Sequence, residues 1–165
     1  MQVVVFSSQK GGSGKTTLCG QLAVQAELSG AGPVAIVDTD PQGSLAEWWN
    51  ARKAENPLFM KAQVDYLHED LDQLERAGVQ LVFIDTPPAV TDIIRKIVGF
   101  ADLVVIPTRP SPHDLRAVGA TLDIVDSDAE RQEIRDHLNG LDARVAVIEV
   151  AASPRYRVCI DGLVM

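Results

Sequence analysis

A β-branched apolar run, Val3-Val4-Val5, leads within a few residues into Gln9-Lys10-Gly11-Gly12-Ser13-Gly14-Lys15-Thr16-Thr17, and a segment rich in apolar residues follows at once. That order leaves little freedom in what the chain can build. The run reads as a short buried strand over residues 2–8. The glycines let the backbone curl so that successive N–H groups point inward at an anion. A helix beginning near Thr16 adds the positive end of its dipole to the same spot. Strand, anion-binding loop and helix in that order make the first unit of a parallel α/β sheet.

Other apolar runs fit the same scheme. Val34-Ala35-Ile36-Val37 ends at Asp38, residues 79–84 end at Asp85, and 103–106 and 145–150 form two more. Helices are predicted over 16–28, with Leu18, Leu22 and residues 24–26 as its packing face, then from Ser44 through Trp48 and Trp49, and over 69–77, 91–100, 114–125 and 128–138. Gly30 and Gly32 end the first. Ser44 caps the second with Glu47 at capping-box spacing, Asn56-Pro57 breaks it, and Gly78 stops the charged, exposed third helix. Residues 63–67 are read as a short strand, and 153–165 follow no clear pattern. Continuously apolar strands alternating with helices give an α/β fold, doubly wound and mostly parallel, with helices on both faces.

The 165 residues suit one domain, spanning 1–165, that buries roughly 70% of its unfolded surface. No stretch reaches the roughly 18 apolar residues of a spanning helix, and no basic-then-apolar leader opens the chain, so the expected location is the cytoplasm. Cys19 and Cys159 lack the paired spacing of metal or redox sites and read as buried thiols, while His68, His113 and His137 are scattered. The net charge of −8 argues against DNA binding through overall charge, although a local basic patch remains compatible with it.

The chemistry concentrates at strand ends. Lys15 is placed to reach the β- and γ-phosphates of a nucleotide, and the Thr16 hydroxyl to ligate Mg²⁺. The strict phosphate-loop pattern has glycine where Gln9 stands, but Gly14-Lys15-Thr16 between a strand and a helix is the confirming context. Asp38 and Asp40 close the second strand in Asp38-Thr39-Asp40-Pro41-Gln42-Gly43, at the sheet edge where ligands of open α/β folds collect. Carboxylates there hold Mg²⁺ through water or orient an attacking water. Asp85, after Leu81-Val82-Phe83-Ile84, has the Walker B form and is expected to hold a Mg²⁺-bound water.

Lys10-Gly11-Gly12-Ser13-Gly14-Lys15-Thr16-Thr17 resembles the deviant Walker A motif of the ParA/MinD ATPases. The resemblance covers roughly residues 1–125, and the family accepts glutamine at the place of Gln9. It implies ATP and Mg²⁺ as ligands. Lys10 is then the signature lysine that crosses a nucleotide-sandwich homodimer to the partner's ATP. Asp40 becomes the switch I residue that positions hydrolytic water, Asp38 a Mg²⁺-water ligand, and Thr86-Pro87-Pro88 the switch II turn. Pro41-Gln42-Gly43-Ser44, Glu47-Trp48-Trp49 and Val105-Ile106-Pro107-Thr108-Arg109-Pro110-Ser111-Pro112 look most like the small ParF-type plasmid-partition ATPases, which lack an N-terminal helix-turn-helix domain. The function so implied is ATP-driven DNA segregation, with nonspecific DNA and a centromere-bound ParB/ParG-like protein as partners and the nucleoid as the working surface.

The C-terminal part departs from that pattern. Val145-Ala146-Val147-Ile148-Glu149-Val150 lacks the asparagine and basic residue that the family uses for adenine. Residues 126–165 are therefore read as atypical or truncated, which weakens the implied DNA contact and adenine specificity. Two other readings compete: a degenerate nucleotide-binding or interaction module without turnover, and a MinD-like membrane-positioning ATPase. The latter needs a basic amphipathic tail, and Tyr156-Arg157-Val158-Cys159-Ile160 has few cations. An iron–sulfur reductase is disfavoured by the cysteine placement.

Overall fold

The computed structural model describes residues 1–88, 91–108, 118, 119, 121, 144–149, 157–160 and 163–164. Its elements run β1 (Gln2–Phe6), α1 (Lys15–Leu28), β2 (Val34–Asp38), α2 (Ser44–Asn50), β3 (Leu58–Lys61), a 3-10 turn (Val64–Tyr66), α3 (Leu67–Arg76), β4 (Leu81–Asp85), α4 (Thr91–Val98), β5 (Leu103–Thr108), β6 (Arg144–Glu149), β7 (Arg157–Ile160) and β8 (Leu163–Val164). The strands form one sheet in the order β3-β2-β4-β1-β5-β6-β7-β8. Pairing is parallel from β3 across to β6 and antiparallel for β7 and β8. The mostly parallel α/β architecture expected from the apolar runs is the one observed.

Alternation along each strand sorts the core into two layers. Val3, Val5, Val37, Ile84 and Ile106 face one way, against Leu67, Leu71 and Leu74 of α3 and Ile94 and Ile97 of α4. Val4, Phe6, Ile36, Phe83 and Val105 face the other, against Leu18, Cys19 and Ala23 of α1 and Leu45 of α2. The register then fixes the site. Phe6 pairs with Asp85, Asp85 with Asp38, and Asp38 with Lys61, so four strands end on one shared rung.

Several local expectations change. Leu22 lies on the outer side of α1, 37% exposed, and the buried face is made instead by Leu18 and the small residues Cys19, Gly20 and Ala23. Small side chains let α1 lie close to the sheet. Gly30 does end α1, with Ala31 N–H donating to the Ala26 carbonyl at 3.0 Å. The α2 cap is not the Ser44/Glu47 box: Gly43 is the capping residue, no side-chain cap forms locally, and the Ala46 N–H finds the distant Asp38 carboxylate at 3.1 Å. Helix α2 ends at Asn50, before Asn56-Pro57. The strand expected at 63–67 falls earlier, as edge strand β3, and 64–66 is a 3-10 turn. Pro57 immediately precedes this edge, where its missing N–H costs no ladder bond. Helix α3 is charged, yet Leu67, Leu71 and Leu74 give it a buried stripe.

The tail, for which no pattern was apparent, contributes β7 and β8. Of the helices expected over 114–125 and 128–138, only residues 118, 119 and 121 are described, all helical; the rest lie outside the described residues, as do the Cys159 side chain, His113 and His137.

Tryptophan packing joins α2 to both neighbours. The Trp49 ring stacks on Phe59 with centroids 5.4 Å apart and its Nε1 donates to the Pro57 carbonyl at 3.0 Å. Trp48 lies over α1, and a Cβ on Gly20 would stand 2.9 Å from its ring. Arg52 covers the Trp48 ring, 5.0 Å from its centroid. We therefore expect Gly20→Val to destabilise the fold by about 1–3 kcal/mol, the usual effect of overpacking a tight contact. A lowered urea midpoint with an unchanged m-value is the measurement that checks it.

Candidate functional site

The loop between β1 and α1 curls because Gly12 and Gly14 adopt φ of +70° and +98°. That left-handed backbone is strained for any residue with a Cβ. It turns the chain so that Lys15 begins α1 with its side chain buried, at 7% exposure. Burial lowers the Lys15 pKa, and the attraction of Asp85 and then Asp40 pulls it back toward the charged form. Gly11 and Gly12 lie on the exposed surface of the loop and Thr17 on the exposed side of the first turn of α1; Ser13 is buried, and Lys10 is half-buried at the loop's start, donating its backbone N–H to Ser8 Oγ at 3.3 Å.

Thr16 Oγ1 donates to Asp85 Oδ2 at 2.6 Å, bridging the first turn of α1 to the end of β4. Asp85 is 1% exposed, and among the described residues its second oxygen, Oδ1, has no hydrogen-bond partner. Burial raises its pKa from 3.8 to about 7; the Thr16 hydrogen bond and Lys15 oppose this, while Asp38 and Asp40 add to it. Ser13 Oγ is likewise buried without a partner among the described residues. An acidic oxygen and a hydroxyl left orphaned beside a buried lysine mark a site built for a polar occupant.

Asp38 is fully buried and spends both oxygens on its own loop, accepting from Asp40 N–H at 3.0 Å and Ala46 N–H at 3.1 Å. Burial raises its pKa; the two backbone hydrogen bonds oppose that, the charge of Asp40 adds to it, and Lys61 makes the smallest contribution, in the lowering direction. Asp40 is half-buried; its Oδ1 accepts from Gln42 N–H at 2.9 Å, and it attracts Lys15. Lys15, Thr16, Asp38, Asp40 and Asp85 are thus brought to one edge of the sheet, with Lys10 at the loop's outer end.

The residues suit a Mg²⁺-nucleotide pair. Among the described residues no cluster of three or more His, Cys, Asp or Glu side chains could hold a metal alone. Mg²⁺ takes one or two carboxylates and completes its shell with water and phosphate. The orphaned Asp85 Oδ1 beside Thr16 Oγ1 offers that kind of partial shell.

The sequence profile of the CobQ/CobB/MinD/ParA nucleotide binding domain matches residues 4–154. The chain belongs to this ParA/MinD family. A relative, the maintenance of carboxysome distribution protein A of Gloeobacter kilaueensis, is 40% identical over 124 residues, covering 73% of this chain and 55% of the relative. The protein ParA of Rhizobium radiobacter is 29% identical over 161 residues, 95% of this chain and 68% of its own length. An ATP complex of McdA from Cyanothece superposes with a TM-score of 0.63 at 23% identity, covering 90% of this chain and 70% of that one, a likeness of fold. The chain thus spans just over half the length of the first of these relatives.

Two threonines, given no bonding role by the motifs that contain them, knit the site together. Thr39 donates both its hydroxyl, at 2.6 Å, and its N–H, at 3.2 Å, to the Asp85 carbonyl. Thr86 Oγ1 donates to the Phe6 carbonyl at 2.8 Å. Each threonine follows the aspartate that ends its strand, and the repeated Asp-Thr pair was a signal available in the sequence. Lys61 was missed for lack of any motif; it lines a cavity of about 490 Å³ beside Asp40 with Pro41, Val64, Pro87 and Lys96. Among the described residues no helix is long and apolar enough to cross a membrane.

Asp85 carries a pH signature. Its folded pKa, about 7, stands above the ordinary 3.8, so the native state holds a proton that the unfolded chain has lost. Its stabilising contribution is complete below pH 3.8 and disappears as pH rises through about 7. In ligand-free protein without divalent cations, Asp85→Asn should flatten the decline in stability between those values. Urea midpoints that fall equally steeply for parent and variant would show that Asp85 titrates normally.

Proposed function

We propose that this chain is a partition ATPase that binds MgATP at the β1–α1 loop, dimerises on it and hydrolyses it to ADP and phosphate, in the service of DNA segregation. The observation that carries the reading is the buried Lys15 beside the Thr16–Asp85 pair, with Asp85 Oδ1 and Ser13 Oγ left for an occupant.

Backbone N–H groups of Gly11, Gly12, Ser13 and Gly14 cradle the phosphates, helped by the α1 dipole and the Thr17 hydroxyl. Lys15, held in low dielectric, presses its charge on the β- and γ-phosphates, where it is worth more than in water. Thr16 would ligate Mg²⁺, and Asp85 and Asp38 would hold it through bound water; the ion would supply charge neutralisation to the phosphate oxygens. Asp40 accepts a hydrogen bond from the attacking water and fixes its direction, a positioning role suited to phosphoryl transfer. Lys10, at the loop's rim, crosses to the nucleotide of a second copy, the feature that makes the loop a deviant Walker A. A centromere-binding ParB/ParG-like protein and nonspecific DNA are the partners of this reading, with ATP-bound dimers on the nucleoid.

A second reading concerns cargo alone. The relative 40% identical over 124 residues is named for carboxysome distribution, so the same ATP-driven dimer would position a protein body over DNA.

Two substitutions separate the roles. Asp40→Ala should bind MgATP with near-parent affinity and lose turnover, because water orientation counts in the transition state more than in the ground state. Lys10→Ala should bind ATP yet remain monomeric on sizing with MgATP, while the parent shifts toward dimer. A parent that binds without turnover would favour a degenerate nucleotide-binding module. A Lys10→Ala protein that dimerises normally would remove the deviant-motif assignment.

A further inference from the structure

Asp38 holds the loop after β2 in shape. Its two oxygens take the N–H groups of Asp40 and Ala46, fastening the start of that loop and the first turn of α2 to the strand end. Asp40 therefore stands where it does because Asp38 pulls on its backbone. A fully buried carboxylate clamps best as an anion, and two backbone donors alone leave its charge uncompensated in low dielectric.

A partial counter-charge stands at the edge of the sheet, too far off for a direct ion pair with Asp38. Lys61, last residue of β3, pairs in register with Asp38, so both side chains leave the sheet on the same face. Its ammonium reaches over the loop: a Cβ on Gly43, the capping residue of α2, would stand 3.7 Å from Lys61 Nζ. Lys61 and Asp38 attract one another, and Lys61 shares the wall of the 490 Å³ cavity with Thr39, Asp40 and Pro41. The main chain ties the same two residues, as Ala62 N–H donates to the Asp38 carbonyl at 3.0 Å.

We propose that Lys61 is a positioning residue for hydrolysis: it holds the Asp38 clamp over residues 39–46 and through it fixes Asp40. This rests on the hydrolytic reading above only for its effect on turnover; the clamp itself is a property of the ligand-free chain.

Residue-resolved amide exchange on the nucleotide-free protein tests the clamp, with Lys61→Met, Lys61→Arg and the parent side by side. Lys61→Met should exchange the Asp40 and Ala46 amides at least about tenfold faster while Ile36 and Ile84 in the strands keep their parent rates. Lys61→Arg, retaining the charge, should restore slow exchange. Unchanged rates in Lys61→Met, acceleration shared equally by Ile36 and Ile84, or an arginine variant as fast as the methionine one would each overturn the proposal. In MgATP turnover, Lys61→Met should lower kcat by about tenfold or more with KM little altered, the pattern of a displaced catalytic group. A parent without turnover would remove the hydrolytic reading, and the exchange rates would still decide the role of Lys61.

Discussion

A lysine and an aspartate both forced out of water at one edge of the sheet govern the rest of this molecule. Burial works against the charged form of both Lys15 and Asp85, and their attraction for one another offsets it only in part. The 2.6 Å bond from Thr16 to Asp85 then ties the first turn of α1 to the end of β4. What remains unsatisfied among the described residues is Asp85 Oδ1 above all, with Ser13 Oγ in the loop. The site is held in a state that an anionic nucleotide with its cation would relieve.

Strand register is what delivers these groups. Because Phe6, Asp85, Asp38 and Lys61 lie on one rung, a carboxylate at the end of β4 and another at the end of β2 arrive together without any long loop to bring them. The parallel sheet supplies all its C-terminal ends on one edge, and Thr39 and Thr86 lock neighbouring ends by donating to carbonyls of the next strand. Such a frame can position charge to within tenths of an ångström, which loops alone rarely achieve.

Much of this was legible in the residues because each signal was local. The Val3-Val4-Val5 strand, Gly14-Lys15-Thr16 and the apolar run ending at Asp85 carry their meaning within a few positions, and the parallel fold followed from them. Leu22 misled because the face of α1 is chosen by close packing on the sheet, and that favoured Cys19, Gly20 and Ala23 over larger residues. Ser44 and Glu47 match a local cap, yet the Ala46 N–H is satisfied by Asp38, eight residues back in sequence, which no capping pattern encodes. Lys61 was invisible for the same reason: its partner lies on another strand, and only the register reveals the pair. Edge strand β3 was misplaced because Leu58-Phe59-Met60-Lys61 has no β-branched residue to announce it.

Proton release on nucleotide binding measures the central relation between Lys15, Thr16 and Asp85 most directly. MgATP binding followed by calorimetry near neutral pH, in buffers of different ionisation enthalpy, counts the protons that leave the complex. Asp85, with its pKa raised to about 7, should surrender its proton when a cation takes its place, giving a net release that Asp85→Asn lacks. Tight MgATP binding with the same proton count in parent and variant would contradict the assignment of Asp85 to the cation and, with it, the site built around Lys15 and Thr16.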